Sequence, residues 1–539
     1  MRWVMFFLTL MLFMSNVAQA QLIQNLMIGN AKALSLGNAV TADPPGVDSI
    51  HFNPAGLARL KGRQSHLKFI LGHASIEGRF STNPIYNELV GNLPTNADGT
   101  LVSPDIAADS DSEIKSFAVY LPGGGITELP VIAAPLGGVS INPLGSKMTF
   151  ATAIYAPMLL GLTRSENDPG KHSGRGMGFT RLTFFSPSIG YQVTDTLAVG
   201  ASIGFSYVGV GMDVALRAPH FAVGAGESIL NTFCGGGAFK DVVDEIVDLC
   251  KGGISTFGTI IDIKVDVEKA VSTTFNFGVL WDVTPWLTWG IAYQSEANDT
   301  IMGNASLQFS PEIVGFYQGL AAGDNALDLE ALVSGLGFPL SGRAIETKTE
   351  LKLVMPQHIS TGISLMLLPR LKVNVDVKWT ETSKWESLRV EFDKSIELFN
   401  LLDAAGISGV EKNALELPRG YEDTINWGIG LEYTYSDNLK LRLGYEPRKT
   451  GIPDGKLDLL IPLGDADLYA AGFSYAVDKT STFDVALGYV TGHQKIPAGS
   501  SSNVNSYTGD TFIYNPYAAL DVETKLEVVL LELSYQSHF

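Results

Sequence analysis

Residues 371–380 read LKVNVDVKWT, and their alternation decides the fold class. Leu371, Val373, Val375, Val377 and Trp379 fall on one face of an extended strand, while Lys372, Asn374, Asp376, Lys378 and Thr380 fall on the other. One side is greasy and the other is polar. The pattern returns at Leu439, Leu441, Leu443 and Tyr445, interleaved with Lys440, Arg442, Gly444 and Glu446. It returns again through Ile425, Trp427, Ile429, Leu431, Tyr433 and Tyr435, and through Phe483, Val485, Leu487 and Tyr489. A soluble sandwich can carry such a strand, so the strand ends matter. Trp281 precedes the turn before Trp286, Tyr191 precedes Thr194-Asp195-Thr196, and Tyr435 precedes Ser436-Asp437-Asn438. Tyr and Trp beside tight turns form the girdle expected where a barrel meets the bilayer interface.

Working outward, about fourteen strands are read near 64–80, 130–142, 147–160, 178–194, 197–216, 262–283 and 286–309, then near 345–367, 371–395, 422–436, 439–449, 464–477, 481–495 and 523–539. Short connections at 143–147, 194–196, 283–285, 368–370, 436–438 and 478–480 alternate with long ones near 81–129, 161–177, 217–261, 310–344, 396–421, 450–463 and 496–522. An even strand number with short turns on one side and long loops on the other is the outer-membrane pattern. The fold class is therefore all-β, a 14-stranded antiparallel transmembrane β-barrel with long extracellular loops. The closing segment LEVVLLELSYQSHF puts Val529, Leu531, Leu533, Tyr535 and Phe539 on the lipid face.

The chain opens MRWVMFFLTLMLFMSNVAQA, with Arg2 before an apolar run and Ala18-Gln19-Ala20 as a small-x-small cleavage site. A signal peptide over 1–20 is expected. No later stretch reaches the roughly 20 apolar residues that a spanning helix needs. The 539 residues show no linker or composition shift, and a formal charge of −19 with pI near 4.8 argues against nucleic acid as a partner. Cys234 and Cys250 are the two cysteines, and an exported chain is expected to join them in a disulfide. The eight histidines are scattered without metal-ligand or nucleophile spacing, so no catalytic residue, no metal and no cofactor is expected.

One stretch does not fit a barrel wall. Residues 29–60, GNAKALSLGNAVTADPPGVDSIHFNPAGLARL, alternate poorly, and Pro44, Pro45 and Pro54 forbid a long ladder. This segment is expected to plug the lumen, giving a hatch over 21–63 and a barrel over 64–539.

Ala31-Lys32-Ala33, Gly37-Asn38-Ala39 and Asn53-Pro54-Ala55-Gly56, placed just before the first strand, resemble the N-terminal hatch of FadL-type outer-membrane transporters. Leu443-Gly444-Tyr445, Pro453, Pro462, Asp467 and Gly472-Phe473-Ser474-Tyr475 resemble the same family's penultimate strands and the loop between them. Trp379-Thr380 and Met355-Pro356 are similar too, although the family often has Glu where Gln357 stands. The resemblance implies a fourteen-stranded barrel in the Gram-negative outer membrane that passively carries long-chain fatty acids or hydrocarbons past a hatch. It also implies a basic residue near the ligand carboxylate where Arg217 ends the fifth strand, and a second near Arg419, which is offset by a residue or two. For both, an ordinary lumen ion pair is the competing reading.

Two loops offer an apolar surface for capture. Phe239, Val242, Val243, Ile246 and Val247 lie at helical spacing, as do Ile313, Phe316, Tyr317 and Leu320. The two helices either bury these faces against each other or hold a ligand between them. In the third strand, Met148, Phe150, Ile154 and Met158 are read on one face and Tyr155 and Leu159 on the other, with Pro157 inside. Proline removes a ladder donor. The family resemblance makes Tyr155, Ala156, Pro157 and Met158 the border of a lateral opening toward lipid, against a simple bulge. The partners expected are a hydrophobic small molecule and outer-membrane lipid, and the barrel is expected to be a monomer. A structural or adhesive surface barrel is the alternative.

Overall fold

The computed structural model describes residues 28–91, 93–114, 116–129, 132–234, 252–321, 344–396, 399–400, 403, 410–460, 464–507 and 514–539. The expected signal peptide lies outside the described residues. Fourteen antiparallel strands form one closed sheet. They are β1 Gly62–Ser81, β2 Ile132–Asn142, β3 Met148–Thr163, β4 Gly176–Phe185 with Ser188–Gln192, and β5 Leu197–Leu216. Next come β6 Ile261–Thr284, β7 Leu287–Gln294 with Ala297–Phe309, β8 Ala344–Met355 with His358–Leu368, and β9 Leu371–Thr380 with Ser387–Phe392. The last are β10 Ala414–Pro418 with Thr424–Thr434, β11 Leu439–Arg448, β12 Ala466–Ala476, β13 Ser481–Ile496 and β14 Asp521–His538. Closure is by β14 on β1, in register from Gln64↔His538 to Ser81↔Asp521. That ladder joins the first strand to the last and closes the wall into a barrel, which a membrane wall requires.

The wall is inside-out relative to a soluble protein. In β9 the polar residues Asn374, Asp376 and Lys378 are buried, whereas Leu443 of β11, Tyr469 of β12 and Leu487 of β13 are more than half or about half exposed. Water-soluble domains bury the opposite set. Apolar residues exposed in a continuous band, with Trp281, Trp286, Tyr435 and Tyr535 toward the short-turn end, are the surface that hydrocarbon covers.

Higher in the wall the polarity reverses. In β6, Ile261, Ile263, Val265 and Val267 point inward and are buried, with Asp262, Lys264, Asp266 and Glu268 outside. Nearer the short turns the inward residues are Ser272, Thr274 and Asn276, while Phe275, Phe277 and Trp281 face out. In β14 the outer face runs Glu523, Lys525, Glu527 and then Val529, Leu531, Leu533; the inner face runs Val522, Leu526, Leu530 and then Glu532, Ser534. Both faces switch at about the same level. The upper wall therefore stands in water around an apolar lumen, and the lower wall stands in lipid around a polar one.

Residues 28–61 lie inside this wall, because their hydrogen bonds reach strands all round it. Lys68 of β1 donates to Ile28 O (2.9 Å), and Ser202 of β5 and Asn276 of β6 both donate to Ile50 O (3.0 and 3.1 Å). Asp376 of β9 accepts from Thr41 N (2.8 Å), Glu446 of β11 from Asn38 Nδ2 (2.9 Å), and Ser534 of β14 from Ala31 N (3.2 Å). The segment folds as short turns. Helix α1, Ala31–Ser35, is capped by Asn30, whose side chain accepts from Ala33 N (3.0 Å), and the 3-10 turn Pro54–Arg59 is capped by Asn53, which accepts from Ala55 N (3.1 Å). Pro54 at the first position suits a helical start.

What seats this segment is glycine in the wall. A methyl at Gly200 of β5 would lie 2.1 Å from the Pro54 carbonyl carbon, and one at Gly444 of β11 would lie 2.1 Å from Gly37 N. Methyls at Gly290 and Gly430 would meet the segment's backbone at 2.4 Å from Thr41 O and 2.6 Å from Leu36 O, and one at Gly278 would meet the Asn53 side chain at 2.0 Å. Backbone lies on backbone around the lumen, which only glycine permits at such separations.

The top differs from a set of plain loops. The connection 82–131 holds helix α2, Pro84–Val90, and the segment Ser110–Ile114, which pairs with β1 beyond the point where β2 stops. It then forms a hairpin, Phe117–Leu121 with Gly125–Leu129, whose Tyr120 N donates to Thr180 Oγ1 (3.1 Å) and whose Gly123 N donates to Glu268 (3.1 Å). Those acceptors sit on the face opposite Phe179 and Val267, so the hairpin lies against the outside of β4–β6. Tyr517 from the last long connection is fully buried and stacks on Phe80, ring centroids 4.3 Å apart.

Candidate ligand pathway

The upper lumen is lined by Phe179 of β4, Val208 of β5, Val267 of β6 and Ile301 of β7, continuing upward to Ile261, Leu307 and Phe309. Strand alternation aims all of them inward. Ile396, Phe399, Val410 and Tyr514 close over this lining from the connections above. It is an apolar compartment inside a water-facing rim.

The floor is charged. Lys32 pairs with Asp43 (3.0 Å), Asp43 with Lys372 (2.5 Å), Lys372 with Glu432 (3.1 Å), Glu432 with Arg442 (2.8 Å) and Arg442 with Asp484 (2.7 Å). Next to it, across β14, Asp48 accepts from Lys68 (2.8 Å) and Asn30 (2.7 Å), with His66 Nδ1 at 3.3 Å. Burial alone would raise the Asp48 pKa, but Lys68 and His66 hold the carboxyl well below the ordinary carboxylate range. Asp43 is held low in the same way, by Lys32 and Lys372 against its burial. Beneath this floor a polar cavity of about 410 Å³ opens among Lys32, Gln64, Arg442, Asp484 and Gln536, beside the short turn at Asp437 and Asn438.

The wall parts at β3. The β2–β3 ladder runs only from Ile141↔Phe150 to Gly137↔Ile154, although β2 continues to Ile132 against β1. Among the described residues, 155–161 of β3 have no ladder partner on that side, and the next pair is Phe117↔Leu162. On the other side the register slips between Tyr155↔Thr183 and Met158↔Arg181. Ala156 and Pro157 together oppose Leu182 there. Lower down, Ser186 replaces ladder bonds with side-chain ones, its Oγ accepting from Ala153 N (2.9 Å) and donating to Ala153 O (2.7 Å). Pro157 supplies a local cause, since its ring has no N–H to give. The slip also corrects the reading of faces: Met148, Phe150 and Ile154 face out, but Met158 is turned into the lumen and buried. Tyr155 points inward onto His51 of the N-terminal segment, ring centroids 5.2 Å apart.

Asn53, Pro54, Ala55 and Gly56 form the turn seated on Gly200 and Gly278, and Asn53 Nδ2 also donates to Thr41 O (2.8 Å) and Val279 O (3.1 Å). The two expected ligand cations each contact a carboxylate of the protein. Arg217 is fully buried, with Nη1 on Asp105 (2.7 Å) and Nε donating to Pro516 O (2.6 Å), between the rings of Tyr517 and Phe257. Arg419 is buried against Asp458. It borders a small cavity of about 60 Å³ shared with His172, Leu216 and Tyr514. Burial, and then the Arg217 charge, push the His172 pKa well down, against the opposing pull of Ala215 O at 2.8 Å from its Nδ1.

Phe239, Val243 and Cys250 lie outside the described residues. Cys234 ends a helix, Phe221–Cys234, which the sequence did not announce, and it is disulfide-bonded. Phe316 and Leu320 fall in helix Pro311–Ala321, where Ile313 is buried.

A family model for outer membrane protein transport proteins (OMPP1/FadL/TodX) matches residues 10–539. The chain belongs to this family. Membership of the OMPP1/FadL/TodX family places it in the Gram-negative outer membrane. The long-chain fatty acid transport protein of Escherichia coli O6:H1 is 20% identical over 234 residues, an alignment spanning 43% of this chain and 45% of that relative. Among solved structures, a Pseudomonas aeruginosa FadL homologue superposes with a TM-score of 0.64 at 16% identity, covering 97% of this chain and 100% of that one. The Ralstonia pickettii toluene transporter TbuX gives 0.57 at 17% identity, over 96% and 99%. These likenesses establish the fold.

Proposed function

We propose that this barrel is a passive outer-membrane channel for hydrophobic molecules, long-chain fatty acids first and hydrocarbons second. Ligand is captured among the outer loops, enters the apolar upper lumen and leaves sideways at β3, bordered by Tyr155, Ala156, Pro157 and Met158. The observation that carries this reading is the coincidence of two levels. The apolar lining gives way to buried polar groups where the β2–β3 ladder is missing. Driving an acyl chain further down would expose its surface to ion pairs and water at roughly 25 cal/mol per Å², whereas a gap in the wall lets it pass directly into hydrocarbon.

In this reading residues 21–63 act as a hatch, closing the lumen to small solutes, and one chain suffices. The family is one of transport proteins, and the lumen is read as a conduit without catalysis. Uptake of radiolabelled oleate and of a labelled alkane or monoaromatic by cells with and without the gene tests the proposal. Gene-dependent uptake of at least one class is expected. Equal uptake by both strains for every hydrophobic substrate would overturn it.

A further inference from the structure

Four neighbouring strands change character within one inward position of each other. Moving down the inner face, Phe179 gives way to Arg181 on β4, Val208 to Ser206 on β5, Val267 to Ser272 on β6 and Ile301 to Asp299 on β7. Arg181 is 1% exposed and is paired in register with Met158, inside the slipped portion of β3. Its Nη2 donates to Ser272 Oγ (3.0 Å). Its Nη1 stands 3.6 Å from Asp299 Oδ2, too far for a hydrogen bond, and has no hydrogen-bond partner among the described residues. Asp299 instead gives its oxygens to Lys269 Nζ (2.8 Å) and to Ser272 Oγ (2.5 Å). Two cations thus share one carboxylate, and a buried guanidinium arm is left without an acceptor at the foot of an apolar lining. An unsatisfied donor in such a place is costly, and a carboxylate is the group whose geometry and charge it fits.

We infer that Arg181 receives the carboxylate head of a single-headed amphiphile whose chain lies along the apolar lining above it. The lining has the reach for this: from Ile301 to Phe309 on β7, eight residues at about 3.3 Å each give about 26 Å along the strand. The charge surplus distinguishes long-chain acids from hydrocarbons here. Arg217 and Arg419, although each also keeps one buried nitrogen without an acceptor, are each in direct contact with a carboxylate of their own, whereas Arg181 stands off a carboxylate that Lys269 already holds. Asp299 tunes the step by holding part of the cationic field. The assignment deepens the proposed uptake function and rests on it.

Equilibrium binding of oleate and of its uncharged methyl ester to the purified barrel separates the possibilities. Arg181→Gln is expected to weaken oleate binding at least tenfold and to leave the ester within twofold, with Arg181→Lys recovering most of the loss. Asp299→Asn keeps both cations and is expected to tighten oleate severalfold, again without moving the ester. Equal losses for both ligands, or no loss for either, would overturn the assignment. Should Arg181→Gln not give a heat-modifiable folded barrel, Asp299→Asn decides, and unchanged oleate affinity there rejects the idea. If the native barrel binds neither ligand, the uptake reading fails first and this assignment falls with it. If it binds both but discriminates no better than Arg181→Gln does, the uptake reading stands and this assignment alone is rejected.

Discussion

Replacing Gly200 by alanine probes the seat of the N-terminal segment with a single methyl. That carbon would lie 2.1 Å from the Pro54 carbonyl carbon, 2.3 Å from its oxygen and 2.4 Å from Ala55 N. All three are backbone atoms, so no side chain can swing away. The turn Pro54–Arg59 must lift by about an ångström or more, and overpacking of this kind costs about 1–3 kcal/mol. Lifting also strains the Asn53 bonds to Thr41 O and Val279 O, each contributing about 1 kcal/mol net. A loss of about 2–4 kcal/mol in local stability follows, or roughly 30- to 700-fold faster amide exchange for residues 53–60 at 1.4 kcal/mol per decade. The wall should be spared, because Gly200 keeps its ladder places opposite Gly190 and Gly278. Hydrogen exchange by mass spectrometry on the detergent-solubilised barrel reads both at once. Exchange at 53–60 within threefold of the native protein, with β5 equally protected, would refute the idea that the segment is held by backbone-on-backbone contact.

Other consequences can be checked alongside. Arg217→Ala should strand Asp105 in a buried site and cost about 3–5 kcal/mol, lowering the melting temperature while reducing oleate and hydrocarbon binding alike; a loss confined to oleate would return Arg217 to a ligand role. Acid should loosen the N-terminal segment through Asp48. Its pKa is depressed in the folded state, so its contribution is complete above the unfolded value near 4 and is lost as pH falls toward the folded one. Exchange at residues 46–52 should accordingly rise between about pH 4 and pH 2, and an Asp48→Asn barrel should show no such rise. A disulfide between Cys234 and Cys250, sixteen residues apart, should contribute roughly 3 kcal/mol in the chain-entropy model; two free thiols in the unreduced protein would exclude it.

The wall was legible in the sequence wherever alternation was strict. LKVNVDVKWT and its relatives placed β9 to β14 closely, and each of the six short connections is a tight turn in the structure. Alternation is blind to which face is inside, however. Residues 261–268, IDIKVDVE, alternate as cleanly as 371–380, yet here the apolar set faces the lumen. Only the level of the strand relative to the bilayer decides, and level is not written in period two. Single glycines at 200, 278 and 444 looked like weak strand residues; their reason lies on a segment far away in the chain. The cations show the same limit. Strand-end position marked Arg217 at the end of β5, but its carboxylate partner Asp105 is 112 residues away, inside a connection that no periodic signal organised. Arg181 carried no motif at all. Its neighbours in the step come from three other strands, so only the assembled wall displays it.

The central claim is that ligand leaves through the wall at β3 and not through the floor. Irradiating the native barrel in lipid with a photoreactive long-chain fatty acid, then mapping the labelled peptides, tests it most directly. Labels on residues 132–136 and 155–161, with none on Gln64, Arg442, Asp484 or Gln536 around the lower cavity, are the predicted result. Labelling concentrated on the lower cavity, with 155–161 clean, would contradict the account.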